Sequence, residues 1–184
     1  MHLLAGSRRR LIGVAAAACA AALVPVAALA ATASAAAPAV AARTPGCATS
    51  GLVVWLNTNG NGYAGGAYYT LNFTNLSGRA CTLYGYPGVS AVNLRRQQLG
   101  SAAARNGPPG PVVRLGRGRT ATVALQIVDA YNFGNPQQPC SPVTAAGLRI
   151  YPPNQFASKV VPFPFTACSR TGPVYLRTAA VQKG

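Results

Sequence analysis

The sequence predicts an all-β domain, a two-sheet antiparallel sandwich, carried behind an N-terminal signal segment. Three observations lead there. Apolar residues come in short runs, several of which alternate with polar residues at a period of two, the repeat of a half-buried strand. Gly, Pro and Asn break those runs about every ten residues, as the turns of a sandwich do. Four cysteines lie beyond the signal segment, enough for two cross-links in an exported domain.

The elements follow in order along the 184-residue chain. Residues 1–35 have the layout of a secretory signal peptide: basic Arg8, Arg9 and Arg10, an alanine-rich apolar run from Leu11 to Ala33, then small-x-small sites ending at Ala33-Ser34-Ala35. Cleavage is expected after Ala35. The run is also long enough to span a bilayer, so an uncleaved anchor competes. The arginines stay on the cytoplasmic side either way, which places the body outside. Ser7-Arg8-Arg9-Arg10-Leu11-Ile12 resembles a twin-arginine signal, and an arginine triplet also suits an ordinary one, so the export route stays open. Ala16-Ala17-Ala18-Cys19 offers a lipidation site, but lacks the usual leucine and would leave half of the apolar run behind.

Residues 36–46 form an Ala/Pro-rich linker without periodicity. The domain, 47–184, starts at Cys47. Leu52–Leu56 is β-branched and aromatic and reads as a strand, and Asn57–Gly62 reads as the loop that ends it. Ala67 to Asn75 alternates, with Ala67, Tyr69, Leu71 and Phe73 on one face. Cys81–Tyr84 and Val89–Leu94 are strands on either side of the Gly85-Tyr86-Pro87-Gly88 turn. Val112–Leu115 follows the stiff Gly107–Pro111 connection, and Thr120–Val128 alternates with Ala121, Val123, Leu125 and Ile127 inward. A helical turn is expected near Val143–Gly147, then strands at Leu148–Tyr151, Lys159–Phe163 and Val174–Arg177. A chain of about 150 residues buries roughly 70% of its unfolded surface, so the core suffices and the disulfides reinforce it.

The cysteine count is odd until the signal takes Cys19 with it, leaving Cys47, Cys81, Cys140 and Cys168. Their spacings of 34, 59 and 28 residues contain no C-x-x-C knuckle, which argues against a zinc site. Three disulfide pairings are open to the sequence. The expectation adopted is the sequential one, Cys47–Cys81 and Cys140–Cys168, each closing a loop worth roughly 3–4 kcal/mol in the chain-entropy model.

Charge narrows the function. The chain carries sixteen Lys and Arg against one acid, Asp129, and one histidine, His2, for a net charge of +15. No carboxylate pair exists for general acid–base work, no Ser-His-Asp triad and no His/Asp/Glu metal set. The reading is a non-enzymatic domain with no cofactor and no metal. What remains is basic and aromatic surface. Arg95 and Arg96 make one cluster; Arg114, Arg117 and Arg119 make another. Arginine forks onto phosphate and carboxylate, so both are candidate anion-binding positions for a wall polymer. Excess positive charge also serves solubility alone. No nucleic-acid motif accompanies it, and export argues against that partner. The competing class is a secreted protein–protein module of inhibitor or adhesion type acting through its loops. Asp129 is expected to make an Asx-type loop contact or an arginine pair. The glycan-acceptor patterns at Asn72 and Asn75 fall on or beside a strand and read as chance.

Several segments, in order, resemble the actinobacterial secreted family called domain of unknown function 4232: Leu71–Asn75 before Cys81-Thr82-Leu83, Gly85–Val89, Asp129–Phe133 before Cys140, Leu148–Pro153, and Val161-Pro162-Phe163 before Cys168. The resemblance covers about residues 47 to 180. Leu115–Arg119 departs from it, being more basic than the Pro-Gly turn of similar proteins. The resemblance implies an exported, immunoglobulin-like sandwich and carries over no catalytic residue.

Overall fold

The computed structural model describes residues 43–134 and 140–184. The expected signal peptide and the first seven linker residues lie outside the described residues. Within them there are twelve strands: β1 Leu52–Tyr63, β2 Gly66–Asn75, β3 Cys81–Leu83, β4 Gly88–Val92, β5 Gln98–Leu99, β6 Ala104–Arg105, β7 Val113–Leu115, β8 Thr120–Val128, β9 Pro142–Tyr151, β10 Lys159–Cys168, β11 Leu176–Thr178 and β12 Gln182–Lys183. Short 3₁₀ turns at Thr49–Gly51 and Ala130–Phe133 are the only helical segments among the described residues.

The described residues are all-β and sandwich-like. One sheet runs β1-β2-β8-β11-β6, with β12 also pairing to β8; the other runs β10-β9-β4-β5. β3 and β7 form a two-stranded ribbon, extended by a parallel bridge from Gly46 to Thr82. Apart from that bridge, pairing is antiparallel except for the two-residue β11–β6 contact. One apolar core takes residues from both main sheets: Leu71 and Phe73 of β2 and Val123 and Leu125 of β8 on one side, Val89 and Ala91 of β4 and Leu148 and Ile150 of β9 on the other.

β8 is the strand the alternation foretells. Ala121, Val123, Leu125 and Ile127 are buried and the residues between them are not. β1 corrects the expected loop. Asn57–Gly62 does not end the strand; β1 runs on through Tyr63, paired with β2 by Asn57↔Thr70 and then Asn61↔Tyr68. The register shift between those pairs is a bulge, and β1 is an edge strand, where turn-prone Asn and Gly cost less than in a central strand. Gly60 has a further reason to be Gly, since a Cβ there would meet the Tyr69 ring 2.6 Å away.

The helical turn expected at Val143–Gly147 is also corrected. That segment is the first half of β9, held between β10 (Val143↔Ala167) and β4 (Gly147↔Val92). Pro162 and Pro164 lie in β10, the outer strand of its sheet, where a missing N–H breaks no ladder. The sulfurs of Cys47 and Cys81 are bonded at 2.06 Å and those of Cys140 and Cys168 at 2.09 Å, the sequential pairing. The first bond pins the chain entering the domain to β3. The second joins the end of β10 to the segment before β9.

Candidate functional site

Hydrogen bonds fix which turns share an end of the domain. The β7–β8 turn carries Arg117 and Arg119, and Asn75, the last residue of β2, organises it. Asn75 is fully buried. Its Nδ2 donates to the carbonyls of Arg79 (3.0 Å), Leu115 (3.0 Å) and Gly116 (3.3 Å). Its Oδ1 accepts from the Ser77 amide and hydroxyl, and its own amide donates to the Arg119 carbonyl at 2.9 Å. One side chain therefore draws together the β2–β3 turn, with Arg79, and the β7–β8 turn. Arg114 adds to the group: it is exposed on β7, whose neighbours Val113 and Leu115 point into the core. At the same end β12 pairs Lys183 with Ala121, and the Gly184 amide reaches the Thr120 carbonyl. Arg79, Arg114, Arg117, Arg119 and Lys183, all exposed, thus cluster at the Thr120 end of β8.

Asp129, the only carboxylate side chain of the sequence, follows Val128 at the other end of β8. Eight strand steps separate Thr120 from Val128, about 26 Å at a strand's rise. Asp129 Oδ1 accepts from the Tyr131 amide at 3.0 Å and starts the Ala130–Phe133 turn, the Asx contact expected of it. It lines a concavity of about 480 Å³ with Tyr63, Tyr69, Tyr131 and Phe165.

Arg95 and Arg96 are not with the other arginines. The chain from Gly85 to Val89 descends alongside β8. Gly85 O accepts from Val181 N, Pro87 O from Thr178 Oγ1 at the level of Leu125, and Val89 O from Ala103 N, one residue before β6. β4 continues in that direction to Val92, so the β4–β5 turn projects at the Val128 end. Asn93 shapes this turn: its Oδ1 accepts from the amides of Arg95 and Gln97, both at 2.9 Å. Arg149, from β9, donates through Nη2 to the Arg96 carbonyl. The two arginine clusters read from the sequence therefore occupy opposite ends. Arg114, Arg117 and Arg119 come together and gain Arg79 and Lys183; Arg95 and Arg96 gain Arg149 instead.

A larger concavity, about 700 Å³, opens beside the β3–β4 turn. Tyr84 and Tyr86 line it from that turn, Arg105 from the end of β6, Pro109 from the β6–β7 connection, Tyr151 from the end of β9 and Phe156 from the β9–β10 turn. Tyr86 is half-buried, and its hydroxyl donates to the Gly107 carbonyl at 2.5 Å. At the Val128 end of β8, away from this concavity, Tyr175 is fully buried: its carbonyl accepts from the Val128 amide and its hydroxyl donates to the Leu99 carbonyl at 2.8 Å; burial pushes that hydroxyl well above the ordinary tyrosine range. The glycan-acceptor asparagines are not presented: both are buried, Asn72 Nδ2 donating to the Thr70 carbonyl and Asn75 Nδ2 to the carbonyls of Arg79, Leu115 and Gly116. Among the described residues no three His, Cys, Asp or Glu side chains gather as metal ligands.

These features define a class first: a small all-β domain of two main sheets, stapled by two disulfides, whose side-chain chemistry lies in charged turns and aromatic clefts. The chain belongs to the family designated DUF4232, a domain of unknown function, whose model matches residues 47–182. No curated protein and no solved structure matches it. The matched span contains both disulfides, the β7–β8 turn and both concavities.

Proposed function

We propose that this chain is an exported, non-catalytic domain of the cell envelope, an immunoglobulin-like sandwich that binds an anionic wall polymer through its basic end. The observation that carries the reading is the gathering of Arg79, Arg114, Arg117, Arg119 and Lys183 at the Thr120 end of β8, with the sole carboxylate side chain about 26 Å away. Like charges so placed repel, each pair by about 0.4 kcal/mol at roughly 10 Å in water. A polyphosphate strand turns that cost into attraction, and arginine forks suit its oxygens. Export is supported by the leader's order of basic, apolar and small residues and by two disulfides, which persist in oxidising compartments. A mature chain without histidine and with one carboxylate side chain favours holding over transforming.

The test is retention of the mature protein on purified Gram-positive cell walls at low and high salt, with free poly(glycerol phosphate) as competitor. Retention should fall steeply with salt and be competed away. Retention that ignores both salt and competitor would overturn the reading.

A further inference from the structure

The aromatic concavity belongs to none of the arginine clusters and asks for its own ligand. We propose that this cleft, between the β3–β4 and β9–β10 turns, binds an extended, proline-bearing acidic segment of another protein. Its volume of about 700 Å³ lies in the range of formed binding sites.

The walls are held before any ligand arrives. The Tyr86 hydroxyl is tied to Gly107 O, and Asn154 Nδ2 donates to Tyr84 O at 3.1 Å, joining the two turns. The β9–β10 turn is braced twice more. The Thr49 amide donates to Gln155 Oε1 at 3.3 Å, and the Thr49 hydroxyl to Ala157 O at 3.0 Å. Pre-organised walls spare a ligand the cost of ordering them.

The rim carries an anchor. Phe156 is 100% exposed on this braced turn, and Tyr84 is 47% exposed. Val112, also exposed, precedes the Val113↔Leu83 pair and so lies across from Tyr84. Clustered exposed apolar side chains mark protein contacts, and aromatic anchors dominate their energy. The polar complement selects the segment. Gln155 Oε1, Gln155 Nε2 and Asn154 Nδ2 are engaged within the protein, and the Tyr84 and Tyr151 hydroxyls that line the cleft are placed to donate to a ligand's carbonyls. A polyproline-type strand asks for ring faces and donors to its free carbonyls, and Tyr84, Tyr151 and Phe156 supply the rings. Arg105 is the one charged side chain lining the cleft, its guanidinium 5.5 Å from the centre of the Tyr86 ring. A stacked, exposed fork of this kind calls for a carboxylate on the ligand.

The test measures fluorescence anisotropy of a labelled peptide of three proline-proline-glutamate repeats. Saturable binding is expected, about tenfold weaker when glycines replace the prolines or lysines replace the glutamates. R105Q and F156A should each weaken it about tenfold with unchanged melting temperature, because both side chains are exposed. The R117Q/R119Q variant should bind the peptide as wild type does, which separates this site from the basic end. Absence of saturable binding would overturn the proposal. So would equal affinity for the glycine peptide, or displacement by oligogalacturonate at lower concentration than by unlabelled peptide.

Discussion

Replacing Asn75 with alanine tests how the basic end is built. The substitution removes a fully buried side chain that holds three carbonyls and accepts twice from Ser77. The Leu115 carbonyl bond is buried, and a buried acceptor left without a partner costs about 1–3 kcal/mol. The Arg79, Gly116 and Ser77 bonds are only partly buried. Water replaces much of each, so together they add about 1–2 kcal/mol. The sum is near 3 kcal/mol, or about 10 °C in melting temperature for a domain of this size. Urea denaturation with disulfides intact, followed by circular dichroism, reads it as a lower midpoint at unchanged slope. The β2–β3 and β7–β8 turns also lose their common tether, so affinity for poly(glycerol phosphate) should drop at temperatures where the variant is fully folded. A loss below about 0.5 kcal/mol would refute the claim that this side chain organises the end. Stability lost with affinity intact would refute its link to binding.

Other outcomes follow from the same structure. The Tyr175 hydroxyl is held protonated by burial, so its folded pKa lies above the unfolded value near 10. Below that value both states bind the proton and its contribution is intact. Above it the unfolded chain sheds the proton first, so stability should fall by up to about 1.4 kcal/mol per pH unit. Y175F should flatten the decline in melts taken through alkaline pH; an equally steep decline would contradict the assignment. Serines at Cys47 and Cys81 open a loop of 34 residues and should cost about 4 kcal/mol in urea denaturation. A change under about 1 kcal/mol would mean the β3 bridge holds the entering chain unaided. G147A should destabilise by about 2 kcal/mol or more, because its Cβ would fall on the Val161 carbonyl of the neighbouring strand. Wild-type stability in thermal melts would show that β9 and β10 can part there.

What the sequence made legible follows from how locally each element is determined. β8 is central, and its period-two pattern is written in Thr120–Val128 because one face meets the core. β1 beyond Leu56 was hidden, since Asn57–Gly62 has turn residues and becomes strand only by pairing with β2 across a bulge. The first half of β9 was hidden for a related reason: Ala145-Ala146-Gly147 has little strand propensity of its own and takes its form from strands on both sides. β5, β6 and β12 are two residues each and leave no periodic signal. The arginines were visible as pairs along the chain, but not that β4 descends while the β7–β8 turn sits at the start of β8. Only register separates Arg95 and Arg96 from Arg117 and Arg119. Lys183 joined the basic end without any sequence cue. Arg79 had a weak one, its place two residues before Cys81. The aromatic cleft joins the Gly85–Gly88 turn to the Tyr151–Phe156 segment, which local patterning cannot relate.

The most direct measurement is the affinity for poly(glycerol phosphate) across a range of salt, for three proteins side by side: wild type, R114Q/R117Q/R119Q and R95Q/R96Q. The wild type should show a steep salt dependence, the triple variant strong weakening with a shallower slope, and R95Q/R96Q near-wild-type behaviour after allowance for two lost charges. Equal weakening in both variants, or wild-type affinity that does not change with salt, would contradict binding through the basic end.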